Sequence, residues 1–104
     1  MSSENTIATS ARSMADVPTD KASRYLQQLA KHFAHKLPVS FDAQRGSIAF
    51  GIGTCAMEAD DARLRLILTA PDGTQLPQLQ DVVARHLVRF AFREELALDW
   101  TAAD

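Results

Sequence analysis

The segment Leu29–Lys36, LAKHFAHK, holds two of the chain's three histidines, His32 and His35, with lysines at positions 31 and 36. Histidines three apart on a helix sit on neighbouring turns, so both rings can approach one ligand. A stable metal site wants three or four donors of suitable type, and nearby lysines oppose a cation. The third histidine, His86, falls on the apolar side of a second helical pattern, between Val83 and Phe90. A ring there is either a core group bonded to its surroundings or an acid–base group reaching His32 across a helix–helix seam. Burial would lower its pKa by disfavouring the charged form. His32, His35 and His86 together define one reading of the chain, a metal-dependent or histidine-based enzyme.

The remaining reactive positions point elsewhere. The single cysteine, Cys55, alternates with Met57 on one strand face and has no local cation to lower its pKa, so it reads as a core residue. Gly51-Ile52-Gly53 lacks the following helix that a phosphate-binding loop needs and is expected to be a turn or bulge. The stronger electrostatic feature is spread over two helices. Arg85, Arg89 and Arg93 recur every four residues, while the first helix offers Lys21, Arg24, Lys31 and Lys36 against Asp20 as its one acid. Side by side, the two helices would share a basic groove, and planar guanidinium forks suit carboxylates and phosphates. Asp81 can pair with Arg85, and Glu94 or Glu95 can neutralise the other arginines. The leading reading is a non-catalytic binding module for an anionic ligand or a protein partner. Its candidate ligand-binding residues are Arg24, His32, His35, Arg89 and Arg93. No paired carboxylates or nucleophile motif stands out, so no catalytic residue, metal or cofactor is assigned.

The elements that must position these groups follow from periodicity. Ala22, Tyr25, Leu26, Leu29 and Phe33 recur at three and four, which predicts a helix capped by Thr19 or Asp20 and stopped near Leu37 by Pro38. The period then changes to two. VSFD, SIAF, TCAMEA and RLRLILTA read as four strands, with Ala43-Gln44-Arg45-Gly46 as a hairpin loop and Asp60-Asp61-Ala62 as a turn. Connections this short exclude parallel crossovers. Leu76, Leu79, Val83, Leu87 and Phe90 mark the second helix, and LALDW a short final strand. The predicted fold class is α+β, a two-layer sandwich ordered helix, four-stranded antiparallel meander, helix, short C-terminal strand.

At 104 residues the expectation is one domain, placed at 17–104. Residues 1–16, rich in Ser, Thr and Ala, read as a disordered tail, so a start at Met14 should leave the domain intact. A formal charge of −2 argues against a general nucleic-acid binder, and no apolar run is long enough to span a bilayer. A lone cysteine suits a reducing compartment, and the expected location is cytoplasmic. The outward strand positions Ser40, Ser47, Ala49, Thr54, Ala56 and Thr69 are small, which suits close approach of a second sheet and hence a homodimer. A structural dimerisation module is the third reading.

Three blocks in order, SRYLQQLAKHFAHK, RGSIAFGIGTCAMEAD and VVARHLVRFAFREELALDW, closely resemble the small bacterial family known as domain of unknown function 2218. The resemblance runs from about Val17 to Trp100 and matches His32, His35, Arg45, Gly46, Cys55, His86, Arg89 and Arg93 to the family's motifs. It brings no assigned reaction. What it implies is an association with siderophore-interacting flavin reductases, and so a flavin reductase partner and a link to iron–siderophore metabolism.

Overall fold

The computed structural model describes residues 11–102. Its elements run β1 (Ala11–Pro18), α1 (Ala22–Phe33), β2 (Val39–Phe41), β3 (Arg45–Phe50), β4 (Gly53–Ala59), β5 (Arg63–Ala70), α2 (Leu76–Phe90) and β6 (Thr101–Ala102). The strands form one antiparallel sheet in the order β2-β3-β4-β5-β1-β6. The α+β class stands, and the expected meander is its β2–β5 part.

The sheet is wider than the four strands of that meander, because the segment expected to be tail supplies another. Residues 11–16 belong to β1, which pairs with β5 from Ala11↔Ala70 to Pro18↔Arg63. Residues 1–10 of the proposed tail lie outside the described residues. The strand escapes notice because its inward positions, Ser13, Ala15 and Val17, are small. They face the long side chains of Leu68, Leu66 and Leu64 across the ladder, so small residues complete the layer without a conspicuous apolar stripe. Buried Ser13 accepts a hydrogen bond from Gln80 Nε2 on α2 at 2.8 Å, which satisfies its hydroxyl.

Alternation places Ile48, Cys55, Met57, Leu64, Leu66 and Leu68 on one face, and both helices cover it. Leu26 and Leu29 come down from α1, and Leu79, Val83 and Leu87 from α2, all buried. Burying each such leucine contributes about 1.5–3 kcal/mol, which holds the helices on the sheet more strongly than helix propensity could. The opposite face carries the small residues Ser40, Ser47 and Ala56, all exposed. It also carries a charged row, Arg45↔Glu58↔Arg65↔Asp16, beside the small residues expected there. Arg65 Nε lies 2.7 Å from Asp16.

Local chemistry sets the boundaries. Lys21, rather than Thr19 or Asp20, occupies the N-cap of α1 and offers no side-chain cap. The Thr19 hydroxyl accepts instead from the Lys21 amide at 3.1 Å, one step before the helix. At the other end α1 stops at Phe33 rather than near Leu37. A turn follows, with the Lys36 and Leu37 amides both bonded to the Phe33 carbonyl. The first hairpin turn is Asp42–Gln44, so Arg45 and Gly46 are strand residues, not loop. Asp42 accepts from the amides of Gln44 and Arg45, and Asp60 from those of Ala62 and Arg63. These carboxylates are held below their ordinary pKa by the amides they bind. Leu96, Leu98 and Trp100 alternate against the core as expected, but the ladder forms only at Thr101–Ala102, beside Met14 and Ser13. No helix among the described residues is long and apolar enough to cross a membrane.

Candidate functional site

The helices lie together on the sheet, and the candidate residues fall along their seam. Five were expected to share one groove. They occupy three adjacent recesses instead.

The first recess is a cleft of about 570 Å³ lined by Lys21, Arg24, Tyr25, Gln28, Phe90, Phe92 and Arg93. Arg24 and Arg93 therefore do converge. The Arg93 guanidinium lies 5.3 Å from the centre of the Phe92 ring, and Phe92 is 76% exposed. Arg24 and Arg93 have no ion-pair partner among the described residues, whereas Arg85 is paired to Asp81 at 2.9 Å. Glu94, expected to neutralise an arginine, is otherwise engaged. It accepts hydrogen bonds from the Tyr25 hydroxyl and from the Thr19 hydroxyl at 3.1 Å, and its other neighbour is Lys21 Nζ at 3.9 Å. The Tyr25 bond, then Thr19 and Lys21, hold the Glu94 carboxyl below its usual range. Burial, reinforced by Glu94, pushes Tyr25 up to about 12. This lock ties the start of α1 to the chain just after α2. Its one sequence signal was a tyrosine hydroxyl on an otherwise wholly apolar helix face, a group that needs a partner when buried.

The second recess opens at the other end of α1. His32, Phe33, His35, Lys36, Leu37 and His86 line a groove of about 530 Å³. The His32 and His86 rings meet across the seam, with centroids 4.9 Å apart and planes at 46°. Phe33 packs on His86 at 4.8 Å and on Phe50 at 4.9 Å, and Phe90 lies 5.6 Å from His32. His86 Nδ1 is 2.7 Å from the Val82 carbonyl oxygen, so Nδ1 donates to it and Nε2 is the nitrogen left for another partner. His32, although solvent-exposed, is held below its ordinary pKa by partial desolvation of its ring against its aromatic neighbours, with His86, His35, Arg89 and Lys36 adding positive field. His35 lies past the helix end, in the turn after Phe33, and still lines the same groove as His32. No three His, Cys, Asp or Glu side chains among the described residues converge as a metal site, although all three histidines line this groove.

Arg89 stands apart from Arg93, beside Arg85 and His86 around a hollow of about 170 Å³. Phe90 explains the division, since its ring borders the cleft and also packs towards His32. Cys55 is fully buried in the sheet's inner face, and burial pushes its thiol up to about 12, consistent with a core residue. Gly53 opens β4 with φ +152°, so the Gly51-Ile52-Gly53 break is a strand-connecting turn.

No curated protein matches the chain. Among solved structures it is similar to the NMR structure of PA4090 from Pseudomonas aeruginosa, at 40% identity and a TM-score of 0.74. The match covers 88% of this chain and 95% of that one. The family model described as an uncharacterized protein conserved in bacteria, domain of unknown function 2218, matches residues 14–101. With almost all of the described fold inside that match, the chain belongs to the domain of unknown function 2218 family.

Proposed function

We propose that the domain is a binding module for a small anion bearing carboxylate or phosphate groups, seated in the cleft between Arg24 and Arg93. The observation that carries this reading is the convergence of two arginines from separate segments without an ion-pair partner among the described residues. Unpaired guanidinium groups gain charge-assisted, bidentate hydrogen bonds from such an anion. Phe90 and Phe92 add aromatic walls that favour a ligand with a flat apolar part, and Gln28 adds a neutral polar contact. The Tyr25–Glu94 lock supports the reading by giving the Glu94 carboxylate partners other than the two arginines. The association of similar domains with siderophore-interacting flavin reductases makes a carboxylate-bearing iron chelate one candidate occupant.

A thermal-shift panel of phosphate, citrate and aromatic carboxylates tests it. A ligand at a hundred times its Kd stabilises by about 2.7 kcal/mol. For a domain of this size that is an upward Tm shift of roughly 10–20 °C. The shift should fall with added salt and vanish in Arg24→Ala and Arg93→Ala. Arg89→Ala, outside the cleft, should keep it. A panel in which no anion moves the midpoint refutes the proposal.

A further inference from the structure

We infer that His32 and His86 form a two-histidine anchor for a borderline divalent transition metal, of the class of zinc, nickel or copper, with further coordination positions open to the groove. The anchor does not depend on the anion cleft, which lies at the other end of the helix seam.

Two observations support it. The first is spacing. An imidazole nitrogen binds such an ion at about 2.0–2.1 Å, so each ring centre stands roughly 3.2 Å from the metal. At a ligand angle of about 100–110° the two ring centres are then roughly 4.9–5.2 Å apart. The observed separation is 4.9 Å. The second is preorganisation. The Val82 carbonyl accepts from His86 Nδ1 at 2.7 Å, the outer contact that fixes a ligating histidine with Nε2 as donor to the metal. Phe33, packed on His86 and on Phe50, holds the ring in place.

The surroundings of the pair set the strength. His35, Lys36 and Arg89 face the pair without a carboxylate among the groups acting on His32, so they oppose a dication. Two protein donors against that field predict micromolar rather than nanomolar binding. They also favour a site completed by water or by a chelating anion. A purely packing pair would serve equally well as two aromatic rings and would have no affinity for metal.

The test is zinc titration of the full chain, purified without a histidine tag, followed by calorimetry and by the ring-nitrogen NMR signals of the three histidines. The expected result is one zinc per chain, with the nitrogens of His32 and His86 shifting together. His32→Gln and His86→Gln should each weaken binding at least tenfold, while His35→Gln stays within a few fold of the unsubstituted chain. The NMR readout on the unsubstituted chain stands even if one variant folds poorly. Absence of saturable binding below millimolar zinc overturns the inference. So does binding that shifts His35 while leaving His86 unmoved, which marks adventitious surface capture.

Discussion

Gly53 and Gly51 flank one residue, yet their replacement by alanine should have opposite consequences. Gly53 has φ +152°, a backbone conformation that side chains with a Cβ rarely adopt. A Cβ built there stands 2.3 Å from the Thr69 carbonyl oxygen, 2.9 Å from Leu79 Cδ2 and 3.1 Å from Ala70 Cα. The first contact is with the backbone of β5, which pairs with β4 at the next residue through Thr54↔Thr69. It cannot be relieved by rotating a side chain. Conformational strain costs about 1–3 kcal/mol and overpacking about as much again. Gly53→Ala should therefore lose roughly 2–6 kcal/mol, a large part of a small domain's stability, and lower Tm by more than about 10 °C. Gly51 has no atom within 4 Å of a built Cβ, and its φ is not positive. Gly51→Ala should be neutral or stabilise by up to about 1 kcal/mol, because alanine restricts the unfolded chain. Urea and thermal denaturation followed by circular dichroism measure both. A Gly53→Ala protein within about 1 kcal/mol of the unsubstituted chain, or equal loss in the two variants, refutes the steric account of this turn.

Three further outcomes are expected. A chain begun at Met14 loses Ser13 with its Gln80 bond and three ladder positions, and should fold with stability lowered by roughly 2 kcal/mol. A chain begun at Thr19 lacks β1 altogether and should show no cooperative melt; a sharp transition in that chain contradicts the placement of β1 in the sheet. Glu94 titrates below its unfolded value, so its stabilisation is complete above about pH 4.3 and lost as pH falls through the folded pKa. Tyr25 titrates higher than when unfolded, so its contribution is complete below about pH 10 and lost as pH rises through about 12. Urea midpoints across pH should show both slopes flattened in Tyr25→Phe, and identical alkaline slopes in the two proteins would count against the lock. Cys55, with its thiol raised to about 12 by burial, should react with a thiol reagent only once the protein unfolds. Prompt labelling of the native chain would contradict its place in the core.

The local pattern alone identified α1, α2 and the four strands of the meander, because their periods of 3.6 and 2 come from large apolar residues that must face a core. It also placed Cys55 and Met57 inside and His86 beside Phe90. What tertiary structure decided was every feature that depends on a distant partner. β1 reads as tail because Ser13, Ala15 and Val17 are small, and only β5, some fifty residues later, gives that smallness a purpose. The division of one expected groove into an arginine cleft and a histidine groove depends on the Phe90 ring, which borders the cleft and packs towards His32. Glu94 bonds to Tyr25 across the start of α1, a partner 69 residues away that no local pattern reveals. Charge and periodicity are properties of a segment, and the sequence carries them openly. Which charge meets which is set by packing between segments, and only the folded chain supplies that.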